Sequence, residues 1–272
     1  MKEKKIKEQK VKKDKKLKEK KPRKPLNPKL KALIAPTIYF VFAMVVAINS
    51  IIIFQRKYYL VVYIDGKSMQ PTLNANVAKP ELKNGISYTK NVDFGYIDQH
   101  KSAIDQIQRF SIITTLYPWD TNDYEYPYER NEKPRDSAYF KIKRVIAMPG
   151  ETFKIIDFDV AIWSDTNNDG IQDEDEWTNL ELPYELSIEK NNKTKHIDPI
   201  TLGEDEYWVM GDNWGNSTDC SDHNGGDKAP IYYENITGVL VAIQGTCTLK
   251  QESGKDDAFI NHHYFAKPIY YF

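Results

Sequence analysis

The stretch Gly66-Lys67-Ser68-Met69-Gln70-Pro71-Thr72-Leu73 offers a serine on a loop suited to chemistry. Gly66 lets the backbone approach a ligand, and Pro71 fixes φ and blocks a helix, so Ser68 can be held at a surface. Taken alone, the same residues also describe an ordinary turn. A second candidate is Lys143, within Ala138–Ala147 (AYFKIKRVIA), beside Ile142, Val145 and Ile146. On a surface strand such a lysine points to solvent. Buried among those neighbours, its charged form is disfavoured, and the neutral amine can take the proton of a serine hydroxyl. Ser217, in the polar loop from Gly211 to Asp222, can orient that amine by a hydrogen bond. His100, His196, His223, His262 and His263 stand in no Ser/Asp context that resembles a triad, which leaves lysine as the base.

Strands must carry these residues. Tyr58–Ile64 (YYLVVYI) is β-branched and aromatic and feeds directly into the Ser68 loop; Gln108–Tyr117 is a second strand, followed by a polar loop from Pro118 to Ser137. Ala138–Ala147 alternates in part and stops at the turn Met148-Pro149-Gly150-Glu151. Tyr207–Met210 is a short strand that delivers the Gly211 loop.

The chain has 272 residues, with 38 Lys+Arg and 39 Asp+Glu, but that balance hides a division. Met1 to Lys31 holds sixteen basic residues against four acidic ones and no aromatic residue, so it reads as a disordered basic tail. Its lysines and glutamates, with no interleaved aromatics, argue against a nucleic-acid partner. Ala32 to Phe54 carries no charge and is long enough to cross a hydrocarbon core of about 30 Å, so a transmembrane helix is expected there. Pro36 falls in its first turn, where a missing N–H costs little. The run exceeds a signal-peptide core and no small-residue cleavage site follows. The basic flank places the N-terminus in the cytoplasm and everything after Gln55 outside.

Three blocks, GKSMQPTL, KRVIAMPGE and GDNWGNSTD, follow the anchor in one order. Together they resemble type I signal peptidases, membrane-bound Ser-Lys endopeptidases that remove leader peptides from exported proteins. The resemblance spans the anchor and the chain from Tyr58 to about Gln244. It implies Ser68 as nucleophile, Lys143 as general base with Arg144 beside it, Ser217 as the serine that bonds the lysine, and Gly211, Asp212, Asn213 and Asp219 as the structural signature around it. The Ser68 N–H would be an oxyanion donor; position 66, from which some members contribute a hydroxyl, is glycine. Two places where the family commonly has arginine hold Trp214 and Ser221, which puts a local Asp219–Arg contact in doubt.

The resemblance and the strand pattern imply a mainly β fold: a transmembrane helix at 32–54, then an antiparallel β exoplasmic domain. Its catalytic core would comprise 55–153 and 205–245, interrupted by a smaller β subdomain at 154–204 and followed by a C-terminal segment at 246–272. The implied partners are exported preproteins with small residues at −1 and −3, and the lipid bilayer. Catalysis needs no cofactor. A self-cleaving repressor, the enzyme alternative, lacks reason for an anchor; a tethered binding protein of the same fold without catalysis is the alternative of another class.

Asp165, Asn167, Asp169, Asp173 and Glu176 fit D-x-[DN]-x-[DN]-G-x₅-E with Gly170 in place, so a structural calcium loop is a second expectation. Val160–Trp163 and Trp177 flank it as hairpin arms rather than helices, which equally suits a metal-free acidic turn. Cys220 and Cys247 can pair on the oxidising side, but a domain this size needs no disulfide. The sequons at Asn192, Asn216 and Asn235 are read as chance.

Overall fold

A computed structural model describes residues 27–117, 140–184, 196–221 and 229–271. Most of the basic tail, the loop from Pro118 to Ser137 and the sequon at Asn192 therefore lie outside the described residues. The chain divides into two units, Met1–Phe54 and Gln55–Phe272.

The first unit is helical. Helix α1 spans Pro28–Tyr58, longer at both ends than the uncharged run. Within it, Ala32–Phe54 is long and apolar enough to cross a membrane, and none of it is buried by protein. Its polar side chains do not break the apolar surface, because Thr37 Oγ1, Asn49 Nδ2 and Ser50 Oγ donate to the carbonyls of Leu33, Val45 and Val46 one turn earlier.

Among its described residues the second unit, beyond the end of helix α1 at Tyr58, has β strands and only short helical turns. Strands β1 (Tyr59–Tyr63), β2 (Glu81–Lys83), β3 (Ile86–Asp98), β4 (Ile112–Thr115), β5 (Lys141–Ala147), β10 (Glu206–Met210), β11 (Ile231–Tyr232), β12 (Ile236–Glu252) and β13 (Ala258–Tyr270) form one nine-stranded antiparallel sheet. Its path is β1-β3-β12-β4-β5-β10-β11, with β13 on β12 and β2 on β3. A separate four-stranded sheet, β8-β7-β6-β9, is built from β6 (Thr152–Ile156), β7 (Asp159–Trp163), β8 (Trp177–Asn179) and β9 (Ile197–Thr201).

The long strand β12 lies in the middle of the sheet, between β3 on one side and β4 and β13 on the other, and it runs through residue 245, where the sequence division was drawn. Its later half, Ala242–Lys250, pairs with β13, so the C-terminal segment belongs to the large sheet. Mixed burial hid β13: most of its side chains are exposed, so the apolar periodicity that reveals a half-buried strand is weak.

Of two large apolar clusters, one lies at the site and the other joins the two sheets. Ile64, Met69, Leu73, Ile97, Ile112, Leu240 and Ile243 form one, directly beneath the Ser68 loop. A larger one gathers Val145, Ile146, Trp208, Val209, Met210 and Trp214 with Phe153 and Val160 of the small sheet. The Phe153 and Trp208 rings lie 4.9 Å apart, joining the two sheets.

Candidate active site

β1 ends at Tyr63, and the Ile64 N–H still pairs with the Asp93 carbonyl before the chain turns into the Ser68 loop. Met69 and Leu73 are 2% and 0% exposed. These two apolar anchors pull the loop onto the cluster below, while Ser68, immediately before the first of them, lines an open groove. The loop carbonyls are held from below as well. Asn213 N–H donates to the Ser68 carbonyl (2.9 Å), and the Lys67 carbonyl accepts from Gln70 N–H (3.0 Å) and Asn213 Nδ2 (3.2 Å). A peptide group is planar and trans, so a carbonyl held inward turns the following N–H, that of Ser68, the opposite way. Among the described residues that N–H has no acceptor, which leaves it available to an oxyanion.

Lys143 stands on β5, where it pairs with Ile113 of β4. It is 4% exposed, buried rather than turned to solvent. Its Nζ donates to Ser68 Oγ at 2.9 Å and to the Ile142 carbonyl at 3.0 Å. Burial pushes the ammonium down from 10.5 to about 8; Asp219 and Asp212 oppose that fall, and Lys141 adds to it.

The neighbouring Arg144 is spent on architecture. Its Nε and Nη2 donate to the two oxygens of Asp212 at 2.8 and 2.7 Å, with both side chains buried. Nη1 donates to the Phe110 carbonyl (2.9 Å), Nη2 reaches Thr72 Oγ1 (3.3 Å), and the guanidinium sits 4.4 Å above the Tyr184 ring. This fork ties β5 to the Gly211 loop and to the Ser68 loop, a geometry lysine does not reproduce.

Gly211 is needed for close approach. A Cβ there would lie 2.3 Å from the Ser68 carbonyl oxygen and 2.4 Å from Ser217 Oγ. The loop thus lies directly against the serine. Ser217 Oγ is buried but has no partner among the described residues; Lys143 bonds Ser68 and Ile142 instead.

Asp219 accepts from Gly211 N–H (2.9 Å), Ser221 N–H (3.0 Å) and Ser221 Oγ (2.6 Å). Ser221 therefore supplies donors to the carboxylate from the place where an arginine was missing. Trp214, at the other such place, is 1% exposed and packs against Phe158. The support for this loop comes from Arg144 on β5 and from Ser221, so no local arginine is required. Sequence reasoning missed Asn74, whose side chain holds the Ile64 and Gly66 carbonyls. Its position immediately after Thr72-Leu73 gave no chemical signal, although asparagine is among the few residues comfortable at its left-handed φ of 58°.

A groove of about 1430 Å³ runs past Ser68 and Lys143. One wall is β1 with Ile64–Lys67, the other Phe140–Ile142, with Gly215–Thr218 alongside. Both walls offer strand edges. Among the described residues β1 pairs only with β3, and β5 meets β10 from Arg144 onward, so that no described strand pairs with the Lys141–Lys143 edge on that side.

The family model described as signal peptidase, peptidase S26, matches residues 34–243. The chain belongs to this signal peptidase family. No curated protein matches it. Family membership makes the chain a peptidase whose substrates are preproteins bearing signal peptides, and the apolar helix is consistent with membrane anchoring.

The remaining sequence expectations lie away from the groove. β7 and β8 pair antiparallel through Trp163 and Trp177, so the Asp165–Glu176 stretch is a hairpin tip. The carboxylate of Glu176 accepts from Trp163 Nε1 (2.8 Å), Thr166 N–H (2.8 Å) and Thr166 Oγ1 (3.0 Å). Asp165 accepts from Asp169 and Gly170 N–H, and Asn167 and Asp169 from Asp169 and Ile171 N–H. Among the described residues, no three acidic, histidine or cysteine side chains are placed to hold a metal ion. Cys220 and Cys247 are both free and buried, in separate apolar clusters.

Proposed function

We propose that this signal peptidase is a serine endopeptidase in which Ser68 and Lys143 form the catalytic dyad. The observation carrying the reading is the 2.9 Å contact between Lys143 Nζ and Ser68 Oγ, with the lysine buried and its ammonium weakened to about 8. A preprotein lies extended in the groove, its backbone pairing with the open edges of β1 and Lys141–Lys143. Small residues at −1 and −3 bring the scissile carbonyl to Ser68. Neutral Lys143 takes the Oγ proton as Oγ attacks, and the Ser68 N–H meets the oxyanion. The lysine then passes that proton to the leaving amine. Water, deprotonated by the same amine, attacks the acyl ester and releases the leader.

The basic tail faces the cytoplasm and the β unit the outer face, by the positive-inside rule. No metal enters this chemistry.

Detergent-solubilised wild type is expected to cut a preprotein with alanine at −1 and −3, and Ser68→Ala to leave it intact. Because the reactive lysine is the neutral one, kcat rises as pH increases through about 8 and then levels off. Equal cleavage by Ser68→Ala, or a rate flat from about pH 6 to about pH 10, contradicts the dyad.

Ser217 is assigned the orienting hydroxyl: buried beside the site without a partner, it can turn to the amine when Ser68 loses its proton. Ser217→Ala should lower kcat about tenfold, the scale of one net hydrogen bond, without a fall in Tm. An unchanged rate reduces Ser217 to a packing residue against Gly211.

A further inference from the structure

Asn74 is 1% exposed and uses both ends of its amide. Nδ2 donates to the carbonyls of Ile64 (2.6 Å) and Gly66 (3.0 Å), while Oδ1 accepts the Asp93 N–H (2.8 Å). Its own N–H donates to Asp93 Oδ2 (2.6 Å), and its carbonyl accepts from Gln70 Nε2 (2.8 Å). One buried side chain therefore fastens the end of β1, the peptide two residues before Ser68 and the neighbouring strand β3. Two donors and an acceptor within so short a side chain are available only from asparagine.

The grip on Gly66 has a directional effect. Gly66 sits at φ 85°, a conformation that side chains rarely adopt, and its carbonyl is turned to the buried amide. Peptide planarity sends the next N–H, that of Lys67, to the opposite side. Among the described residues the Lys67 N–H has no acceptor, like that of Ser68, and both residues line the groove. Successive free N–H groups of this kind make an anion-binding concavity.

We propose that Asn74 is a positioning residue for the reaction: by holding the Gly66 carbonyl inward it presents the Lys67 N–H to the groove as a second oxyanion donor beside that of Ser68. This supplies what residue 66, a glycine without a hydroxyl, cannot. The inference rests on the Ser68–Lys143 reading.

Asn74→Gly removes the amide yet tolerates the left-handed backbone, and Asn74→Asp keeps the size and acceptor while losing both donors. With the full chain in detergent, kcat should fall about 100-fold in each, the scale of one oxyanion donor, while KM stays within about threefold. In Asn74→Gly the pH midpoint should not move, since that change adds no charge near Lys143. A leader-peptide aldehyde, whose carbonyl adds Ser68 Oγ to form a hemiacetal, should bind about 100-fold more weakly. The free leader product, which makes no oxyanion, should bind as before. Val160→Ala, a core truncation in the small sheet, supplies the same kind of Tm loss remote from the loop and should keep kcat. Aldehyde and product binding weakened equally, or kcat retained in both Asn74 variants, overturns the inference; so does an equal kcat loss in Val160→Ala. A wild type that cuts no preprotein overturns the underlying dyad reading instead, and this inference with it.

Discussion

Lys143→Arg should abolish preprotein cleavage, lowering kcat by about 10⁴-fold or more, although it keeps the positive charge. Guanidinium remains protonated at any working pH and cannot take the Ser68 proton. Its fork would also have to fit where the lysine is 4% exposed. Lys143→Met separates chemistry from stability. It should be equally inactive, yet it removes a charge that the folded state disfavours. The ammonium falls from 10.5 to about 8 on burial, a cost on the order of 3 kcal/mol while the lysine is charged. The sign follows from proton counting: between about pH 8 and 10.5 the unfolded chain binds the extra proton, so wild-type stability rises with pH in that window. Below it both states are protonated and the full cost applies. Thermal melting of detergent-solubilised protein at several pH values should therefore show a rise that Lys143→Met lacks, with the variant more stable at neutral pH. Turnover retained by Lys143→Arg would assign the base elsewhere, and identical pH slopes would mean that the lysine is not a buried charge.

Arg144→Met should be the most destabilising substitution near the site. Asp212 is 0% exposed, and losing the guanidinium leaves its carboxylate buried without its countercharge, a change of about 3–5 kcal/mol. The Phe110 carbonyl and Thr72 Oγ1 lose their donor in the same step. Arg144→Met combined with Asp212→Leu should recover much of that loss, because replacing both partners of a buried ion pair by apolar groups is often close to neutral. Urea unfolding monitored by tryptophan fluorescence gives the comparison. A double variant no more stable than the single would show that packing under Tyr184, rather than the ion pair, holds this corner.

Particular residues show how far sequence alone reaches. Ala32–Phe54 could be recognised because crossing hydrocarbon demands an uninterrupted apolar length, a requirement written in composition. Tyr58–Ile64, Ala138–Ala147 and Tyr207–Met210 were readable as strands from their β-branched and aromatic residues, although helix α1 extends through Tyr58 and the second of these strands is formed over Lys141–Ala147. The middle of the sheet was less legible. β12 is buried on different partners along its length, β4 first and β13 later, with register shifts, so no single periodicity marks it. At the acidic hairpin, residue types agree with a calcium loop, but the folded chain spends Glu176 on Trp163 and Thr166.

Sequence by itself determined the signal peptidase family, the apolar span, the mainly β class and the candidate residues Ser68, Lys143 and Ser217, because each depends on residue type and local order. Only the tertiary structure decided the distances between them. Lys143 is buried where the Ser68 loop meets its side chain, and burial alone separates a solvent-facing lysine from a weakened ammonium. The same holds for support of the site: Arg144 reaches Asp212, Ser221 replaces an arginine at Asp219, and Asn74 fastens Gly66. Arg144 and Asp212 lie 68 residues apart and Asn74 and Asp93 lie 19 apart, so those bonds depend on where folding brings the segments; the Ser221–Asp219 and Asn74–Gly66 bonds are local, but they depend on a loop conformation that residue types alone do not specify.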